Sequence, residues 1–442
     1  MNTISNLKAG FARVDITPHL GTSLQGYFRK RYADGVLDPL MVTAVVFDDG
    51  EKRAVIISCD VIGFNQVMMD DLRPMVAKAI DAEKEGVFIC STHTHLAPGL
   101  TAKTGYVEEN REYINWFTKK VVDAAVLAVK DLAPAKLSYT RGEVKDVAFV
   151  RRFRMKDGSV RTNPGWQNPE IDHALGTPDE STSLLIIKRE GAPEIGIVNF
   201  QVHADMIGYS TVSADFPHFV RDTYELLIPN SRCMYINGAE GDTNHIDVRL
   251  GEDKCRTGYD RSRYAGRKIA MSVIANYELA EPLNGDKIGY AQKNIFVKYN
   301  KGRPDQIEEA VRIHKLYTEG GSDAVAPASL GMRRTEIIAE ANRIVNLMSF
   351  PEEKELYLTA VSVGDFVVAG FPGEPFTDIG RGIKANSKFT LTMPSCCANG
   401  YEGYYPMQSA FDEGGYEALT AQYVAGTAEK LIEVSTEIVN AL

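Results

Sequence analysis

The sequence predicts an α/β fold of mixed β-sheets covered by helices, with active-site loops at the carboxyl ends of the strands. Short β-branched runs alternate along the chain with longer amphipathic stretches. Strands and helices that interleave this regularly form sheets with helical layers. Several strand-like runs also end in clusters of polar residues, and open α/β sheets bind their ligands beyond those ends.

The elements are assigned from hydrophobic periodicity. The predicted strands are 43–48, 53–59, 86–91, 136–141, 183–188, 196–202, 233–237, 288–298, 355–361 and 365–370, and the predicted helices are 65–82, 110–131, 215–228, 260–279, 304–319, 332–348, 376–385 and 415–440. The segment 144–182 has few apolar runs and several Gly, Pro and Asn residues, so it is predicted to be a long ordered loop. The charged stretch 300–350 is interpreted as a helical insertion in a single domain over 1–442, with a lid or an oligomer contact as alternatives.

Composition limits the classes of partner. The chain has 442 residues, of which 44% are hydrophobic and 24% charged, as in globular proteins. Its net charge of -10 is spread without a basic run, which argues against nucleic acid and anionic membrane surfaces as main partners. No apolar run approaches the roughly 20 residues of a membrane helix, so stable membrane insertion is not expected. The N-terminus lacks the pattern of a secretory signal, so we expect a cytoplasmic protein, or a secreted one if a leader was removed.

The cysteines form no CxxC pair, and several of them end apolar strand-like runs. They are interpreted as small buried residues rather than as a disulfide framework or a thiolate metal site. They are Cys59, Cys90, Cys233, Cys255, Cys396 and Cys397.

Polar side chains follow separate apolar runs at points where predicted strands end. The segments are GVFICSTHTHLAPG (86–99), GIVNFQVHAD (196–205), CMYINGAEGDTNH (233–245) and DFVVAGFPGEP (365–375). Loops that converge from several strand ends form a crevice. These segments therefore predict the position of the functional site.

Histidines and one glutamate in these segments suit a catalytic zinc ion. His93 and His95 point the same way if the chain stays extended, and His203 and Glu374 supply further donors. Catalytic zinc commonly takes three protein ligands of the His and carboxylate type. Such an ion lowers the pKa of water and polarises a carbonyl, while a neighbouring histidine moves the proton. The alternatives are histidines hydrogen-bonded within a core, and Glu374 as an acidic residue at a helix N-terminus.

A series of short motifs along the chain carries a family resemblance. The motifs are AGFARVDITP, Gly26–Tyr27, STHTHLAPG, VHAD, SADFP, NGAEGD, FPGE and NGYEGYYP. In this order they resemble the catalytic domain of the neutral, non-lysosomal ceramidases, zinc amidases that hydrolyse the N-acyl bond of ceramide. The resemblance spans nearly the whole chain.

The resemblance implies a set of zinc ligands. In it His93, His203 and Glu374 bind Zn²⁺, while His95 faces the substrate as an acid–base or orienting group. The family also uses a tyrosine ligand in an Asn-x-Tyr-x-x-Tyr pattern, which here implies Tyr404. The neighbouring Tyr405 leaves the register open by one residue, and an aromatic cluster used only for packing is the alternative.

The resemblance also implies residues that contact the substrate. Arg151 aligns with a substrate-contacting arginine that would hold a carbonyl or oxyanion, and Arg152 competes with it for this role. Asn244 stands where ceramidases have a serine thought essential, and an amide cannot act as an activated nucleophile. Attack by water would survive this change, with Asn244 or His245 stabilising the oxyanion or moving a proton.

These departures change the expected substrate. The loss of the serine is joined by two others: the chain ends soon after the last motif, without the C-terminal β-sandwich of ceramidases, and no leader is seen. We therefore expect a small-molecule amide or ester that is smaller or more soluble than ceramide. Alternatives are a metal-dependent phosphatase or sulfatase, which scarce basic residues near the ligands disfavour, and a non-catalytic binding protein that retains the fold. Homo-oligomer formation stays open.

Other polar residues have structural interpretations as well as functional ones. Asp60, Asp215 and Asp242 are candidates for orienting the imidazoles, and each is equally suited to a helix cap or turn. The histidines outside the strand-end motifs are expected to be surface or structural residues. They are His19, His173, His218 and His314.

Overall fold

The strands form two large sheets. A computed structural model describes residues 6–27, 30–100, 106–251 and 258–442. The first sheet contains β1 (Lys8–Asp15), β2 (Met41–Asp48), β3 (Arg53–Cys59), β4 (Val87–Ser91), β5 (Ala133–Glu143), β6 (Ser181–Arg189), β7 (Glu194–Phe200), β8 (Ser231–Asn237) and the short β9 (Glu281–Pro282). The second contains β10 (Ile288–Lys298), β11 (Glu353–Val363), β12 (Phe366–Gly370) and β13 (Leu391–Ser395).

The strand order places parallel pairs where the polar loops begin. The first sheet runs β8-β7-β6-β5-β1-β2-β3-β4, with β9 paired to β5 outside this path. The pairs β3–β4 and β7–β8 are parallel, and so is β12–β13 in the second sheet, which runs β10-β11-β12-β13. Parallel strands bring their carboxyl ends to one edge. The loops after these pairs carry the polar motifs.

The first sheet curls until its two ends touch. Ser58 of β3 donates a hydrogen bond to the carbonyl of Tyr235 in β8 at 2.6 Å. Asn237, at the end of β8, donates to the carbonyl of Thr92, just beyond β4, at 3.3 Å. These strands lie at opposite ends of the hydrogen-bonded order. The curl therefore brings the loops after β4, β7 and β8 to one place.

The described residues form eleven α-helices, several of which cover the outer faces of the two sheets. They are α1 (Gln66–Ile80), α2 (Tyr106–Glu109), α3 (Arg111–Lys130), α4 (Phe216–Leu227), α5 (Gly258–Ile274), α6 (Ile307–Val325), α7 (Met332–Leu347), α8 (Thr377–Asn386), α9 (Gln408–Glu413), α10 (Tyr416–Thr420) and α11 (Thr427–Ala441). Helices α1 and α3 pack on β1 to β4, and α4 and α5 pack on β6 to β8. Helices α8 and α11 cover the second sheet.

Strand alternation explains the layers. In β2, Val42, Ala44 and Val46 face the helices, whereas Val45 and Phe47 face the second sheet. This period of two is expected of a strand with both faces covered. The order helix, sheet, sheet, helix confirms the predicted fold class.

Most predicted elements are present, and the differences have local causes. Strand β1 is absent from the predicted strands because charged residues and Gly10 interrupt its apolar run. Glycine is needed at position 10, since a Cβ there would lie 1.9 Å from the carbonyl oxygen of Ala128 in α3. The segment predicted as one helix over 415–440 breaks between α10 and α11, and Gly426 at the break has a φ of 86°. The predicted loop 144–182 contains a three-stranded sheet of Arg152–Met155, Val160–Thr162 and Ile171–Ala174.

Two further sequence interpretations concern helices and cysteines. Helices α6 and α7 occupy the stretch 300–350 and pack on each other. Within the described ranges, no helix is both long and apolar enough to cross a bilayer. The cysteines within those ranges are free and buried, as predicted, and Cys255 lies outside them.

Candidate metal centre

His93 and His203 turn one nitrogen each toward a common point. His93 follows β4 and His203 follows β7, and their ring centroids lie 4.7 Å apart at an interplanar angle of 85°. Nδ1 of His93 donates to the carbonyl of Ile62 at 2.7 Å, and Nδ1 of His203 contacts Oε2 of Glu240 at 2.8 Å. Because each Nδ1 contacts a group on the outer side of its ring, each Nε2 faces the common point between the two rings. Metal-binding histidines are commonly held in this way.

Glu374 completes this arrangement with a buried carboxylate. Its Oε2 lies 3.5 Å from Nε2 of His93 and 3.7 Å from Nε2 of His203. Its Oε1 accepts a hydrogen bond from the hydroxyl of Tyr401 at 2.7 Å. Oε2 has no hydrogen-bond partner among the described residues, although Glu374 is only 1% exposed. A buried polar atom is rarely left in this state, and a cation between these three atoms would satisfy it.

The donor set fits a divalent metal ion of the zinc type. Two imidazoles and one carboxylate are common ligands of catalytic zinc. Their donor atoms fall within 4.8 Å of one another, in a group that also includes Glu240. One ion could therefore reach both histidines and Glu374.

The charges of the site favour ligation. Burial opposes ionisation of Glu374, but the neighbouring His93, His203 and the Tyr401 hydroxyl hold its pKa well below the ordinary value. Burial, helped by the charges of Arg151 and His93, lowers the pKa of His203. Metal ligation needs an ionised carboxylate and a neutral imidazole. Burial lowers the pKa of His93, but the carboxylate of Glu374 outweighs this effect, so the pKa of His93 is raised. A proton therefore competes with a metal ion for the His93 ring.

His95 lies beside these candidate ligands. Its Nε2 is 3.4 Å from Nε2 of His93, and its ring centroid is 5.0 Å from that of His203. Its Nδ1 lies 3.8 Å from Oδ1 of Asp205, which accepts a hydrogen bond from the Tyr27 hydroxyl. Burial and the two neighbouring imidazoles lower the pKa of His95. A neutral imidazole in this position can accept a proton.

The candidate tyrosines occupy distinct environments. Tyr404 pairs with Glu374 across a short parallel bridge, and the guanidinium of Arg151 lies 5.3 Å from its ring centroid. The Tyr405 hydroxyl instead donates to the carbonyl of Pro372 at 3.0 Å, and its ring stacks on Tyr423 in the core. Tyr404 therefore stays the candidate ligand. The Tyr401 hydroxyl donates to Oε1 of Glu374 at 2.7 Å, and the Tyr401 ring centroid lies 5.8 Å from that of His93.

Arg151 and Arg152 differ in the groups that their guanidinium groups contact. Arg151 forms an ion pair with Glu417 at 2.6 Å and donates to the carbonyl of Gly241 at 2.8 Å. The charge of Arg151 lowers the pKa of His203 and opposes the rise that burial causes in the pKa of Asp205. Arg151 therefore acts on the electrostatics of the site. Arg152 lies farther from Glu417, at 3.9 Å, and its guanidinium donates to Glu413 and to the carbonyl of Gly414. The geometry favours Arg151 as the arginine of the site.

Asn244 and His245 belong to the loop after β8. Asn244 donates to Oδ1 of Asn163 at 2.9 Å and accepts from the backbone N–H of Ile246 at 3.0 Å. Its amide therefore bridges this loop to Asn163, which follows the strand Val160–Thr162. His245 is buried, and burial with the charges of Arg261 and His203 lowers its pKa to about 3. Its Nδ1 has no hydrogen-bond partner in the described part of the chain.

The aspartates considered as imidazole partners serve the scaffold. Asp215 accepts from the backbone N–H groups of Phe216 and Met206 as the cap of α4, and Asp242 accepts from the backbone N–H and hydroxyl of Thr377 at the start of α8. Asp60 forms a buried ion pair with Arg221.

Glu240 is the carboxylate that holds Nδ1 of His203, and it is not among the residues predicted from the sequence. The available signal was an acidic residue placed between small residues directly after an apolar strand.

Comparisons with known proteins identify a family match and a similar fold. Residues 7–215 match the family model described as neutral/alkaline non-lysosomal ceramidase, N-terminal. A solved structure of neutral ceramidase from Pseudomonas aeruginosa aligns with a TM-score of 0.72 at 17% identity, covering 99% of this chain and 75% of that one. A structure titled ceramidase complexed with C2 aligns with a TM-score of 0.71 at 16% identity, with the same coverage. A comparison with curated proteins gives no match. At these identities the solved structures establish the fold.

Proposed function

Because the chain belongs to the neutral/alkaline non-lysosomal ceramidase family, we propose that it is a zinc-dependent hydrolase of an N-acyl amide or ester bond. The observation that carries the proposal is Oε2 of Glu374, a buried carboxylate oxygen that faces Nε2 of both His93 and His203. Family membership makes a hydrolase the starting point. The donor set supports metal dependence.

Four side chains would hold the ion: His93, His203, Glu374 and Tyr404. Bound there, zinc would polarise the substrate carbonyl and lower the pKa of water. Burial raises the pKa of Tyr404, with the Glu374 carboxylate adding to the effect and Arg151 opposing it. Its hydroxyl would therefore bind as a neutral oxygen ligand, or ionise only when a bound cation lowers its pKa.

His95 would move the proton. Its imidazole takes a proton from the water that attacks the carbonyl carbon, and the new C–O bond forms. It then gives that proton to the leaving nitrogen or oxygen as the C–N or C–O bond breaks, so one water is consumed and a carboxylic acid and an amine or alcohol are produced. The lowered pKa of His95 keeps the imidazole neutral and ready for the first transfer.

Arg151 would stabilise negative charge on the carbonyl oxygen. Its ion pair with Glu417 and its bond to Gly241 fix the guanidinium beside Tyr404. A fixed positive group needs little rearrangement during the reaction. Asn244 offers no hydroxyl, which supports attack by water rather than by a side chain.

The surroundings of His95 support a polar substrate. The Asp205 side chain is 30% exposed beside His95, and it is bonded to the Tyr27 hydroxyl. A carboxylate at this position suits a leaving group with hydrogen-bond donors better than a hydrocarbon chain. We propose a smaller or more soluble substrate than ceramide because Asn244 stands where the family has its serine.

A substrate panel tests the proposal. Zinc-loaded protein is assayed with N-acyl amides of short and long acyl chains, acyl esters, ceramide in micelles, and phosphate and sulfate esters, with His95→Ala as the matched control. We expect amide or ester cleavage that His95→Ala suppresses. Cleavage of ceramide alone would overturn the substrate class, and cleavage of phosphate or sulfate esters alone would overturn the reaction type.

A further inference from the structure

The two histidines of the metal centre are held from behind by different groups. Nδ1 of His93 donates to a backbone carbonyl, that of Ile62. Nδ1 of His203 instead contacts the carboxylate of Glu240 at 2.8 Å. Glu240 is fully buried, at 0% exposure, in the loop after β8. A buried acidic side chain needs specific partners, and Glu240 has them in His203 and the thiol of Cys396.

The contact with Nδ1 of His203 makes the Oε2 atom of Glu240 a support for that ring. The Nδ1 and Nε2 atoms of one imidazole point in diverging directions. Nε2 of His203 faces Oε2 of Glu374 at 3.7 Å, while Nδ1 faces Oε2 of Glu240. An ion bound at Nε2 is therefore directed away from the oxygen that holds Nδ1. Glu240 acts on the ion through the ring.

The loop that carries Glu240 is locked to the strand that carries Glu374. The backbone N–H of Gly241 donates to the carbonyl of Pro375 at 2.9 Å. A Cβ on Gly241 would lie 2.5 Å from the carbonyl oxygen of Glu374, so the contact needs glycine. The orientation of His203 and the position of Glu374 are therefore set by one packed unit.

We infer that Glu240 is a positioning residue of the metal centre, whose carboxylate holds His203 with Nε2 directed toward the ion. A carboxylate behind a ligating histidine fixes its tautomer and raises its basicity, and losing such a partner typically lowers metal affinity about 10- to 100-fold. This inference rests on the proposed metal site.

The test compares zinc affinity, measured by competition with a chelator, in the wild type, Glu240→Ala and Glu240→Gln. The Ala variant loses both the acceptor and the charge, so we expect affinity to fall about 10- to 100-fold. The Gln variant keeps an acceptor for the Nδ1 proton and should fall less. Glu194→Gln is the matched control, because Glu194 begins the strand that leads to His203 but bonds to Tyr224 and Tyr277.

Two spectroscopic readouts separate positioning from loss of folding. The visible spectrum of the cobalt-substituted protein should change in Glu240→Ala and stay unchanged in Glu194→Gln. In ¹⁵N-histidine-labelled protein without metal, His203 should carry its proton on Nδ1 in the wild type, and this preference should weaken in Glu240→Ala. If Glu240→Ala fails to fold, the comparison of Glu240→Gln with the wild type tests the inference.

The outcomes are distinguishable. A wild type that binds zinc, with both Glu240 variants equal to it in affinity, cobalt spectrum and His203 tautomer, would overturn the inference and leave the proposed function standing. A wild type that binds no metal would overturn both.

Discussion

Nε2 of His93 and Nε2 of His95 lie 3.4 Å apart, although the chain between them is not extended. His93 has a φ of 66°, outside the β region. The two residues are anchored separately. His93 bonds to Ile62, whereas the backbone N–H of His95 donates to the carbonyl of Ala204, next to His203. Separate anchors allow the two histidines to serve different roles.

The first prediction separates catalysis from metal binding. His95→Ala should lower kcat about 10²- to 10⁴-fold, because a proton-transfer group is lost, while zinc content stays at the wild-type level. Activity and metal analysis on the same preparation check this. Loss of zinc together with activity would make His95 a ligand.

The second prediction concerns the contact between Gly26 and His95. Gly26 has a φ of 126°, and a Cβ there would lie 2.8 Å from the His95 ring. Gly26→Ala should displace the ring and lower kcat while zinc stays bound. Gly50→Ala is the control, since Gly50 also has a positive φ but open space around it. Equal kcat in the two variants would show that the contact does not position His95.

The third prediction decides the tyrosine register. Tyr404→Phe should weaken zinc binding, because a ligand oxygen is removed. Tyr405→Phe should leave zinc binding unchanged and lower the free energy of unfolding by about 1 kcal/mol, because its bond to Pro372 is lost. Chelator competition and urea unfolding measure the two quantities. The reverse pattern would move the proposed ligand to Tyr405.

The fourth prediction uses pH. Burial raises the pKa of Asp215 to about 7, whereas an unfolded aspartate has a pKa of about 3.9. Between these values the folded chain keeps a proton that the unfolded chain releases, so this group's contribution to stability is lost as pH rises. Asp215→Asn removes the titration and keeps an acceptor for the cap of α4. Its free energy of unfolding should therefore rise relative to the wild type between pH 5 and pH 8. An equal difference at both pH values would contradict this.

The sequence predicts the fold class well because the buried strands read as apolar runs and the helices as amphipathic stretches. It also leads to His93, His95, His203 and Glu374, since each follows an apolar run directly. The curl that joins β8 to β3 and β4 cannot be predicted in this way, because it depends on contacts such as Ser58 with Tyr235 between distant segments.

The role of Glu240 is hidden for the same reason. Its contact with His203 joins residues 37 positions apart. Asp215 and Asp242 looked equally suited to that role from the sequence, and only packing assigns them to helix caps. Tyr404 and Tyr405 are likewise neighbours in sequence, and they differ in whether the ring lies beside Arg151 or in the core.

The most direct test of the central claim is metal analysis of the purified wild type beside His93→Ala and Glu374→Ala. The geometry of the three donor atoms predicts about one zinc per chain in the wild type and a much lower content in both variants after dialysis against a weak chelator. A wild type without zinc, or the same zinc content in all three proteins, would contradict the account.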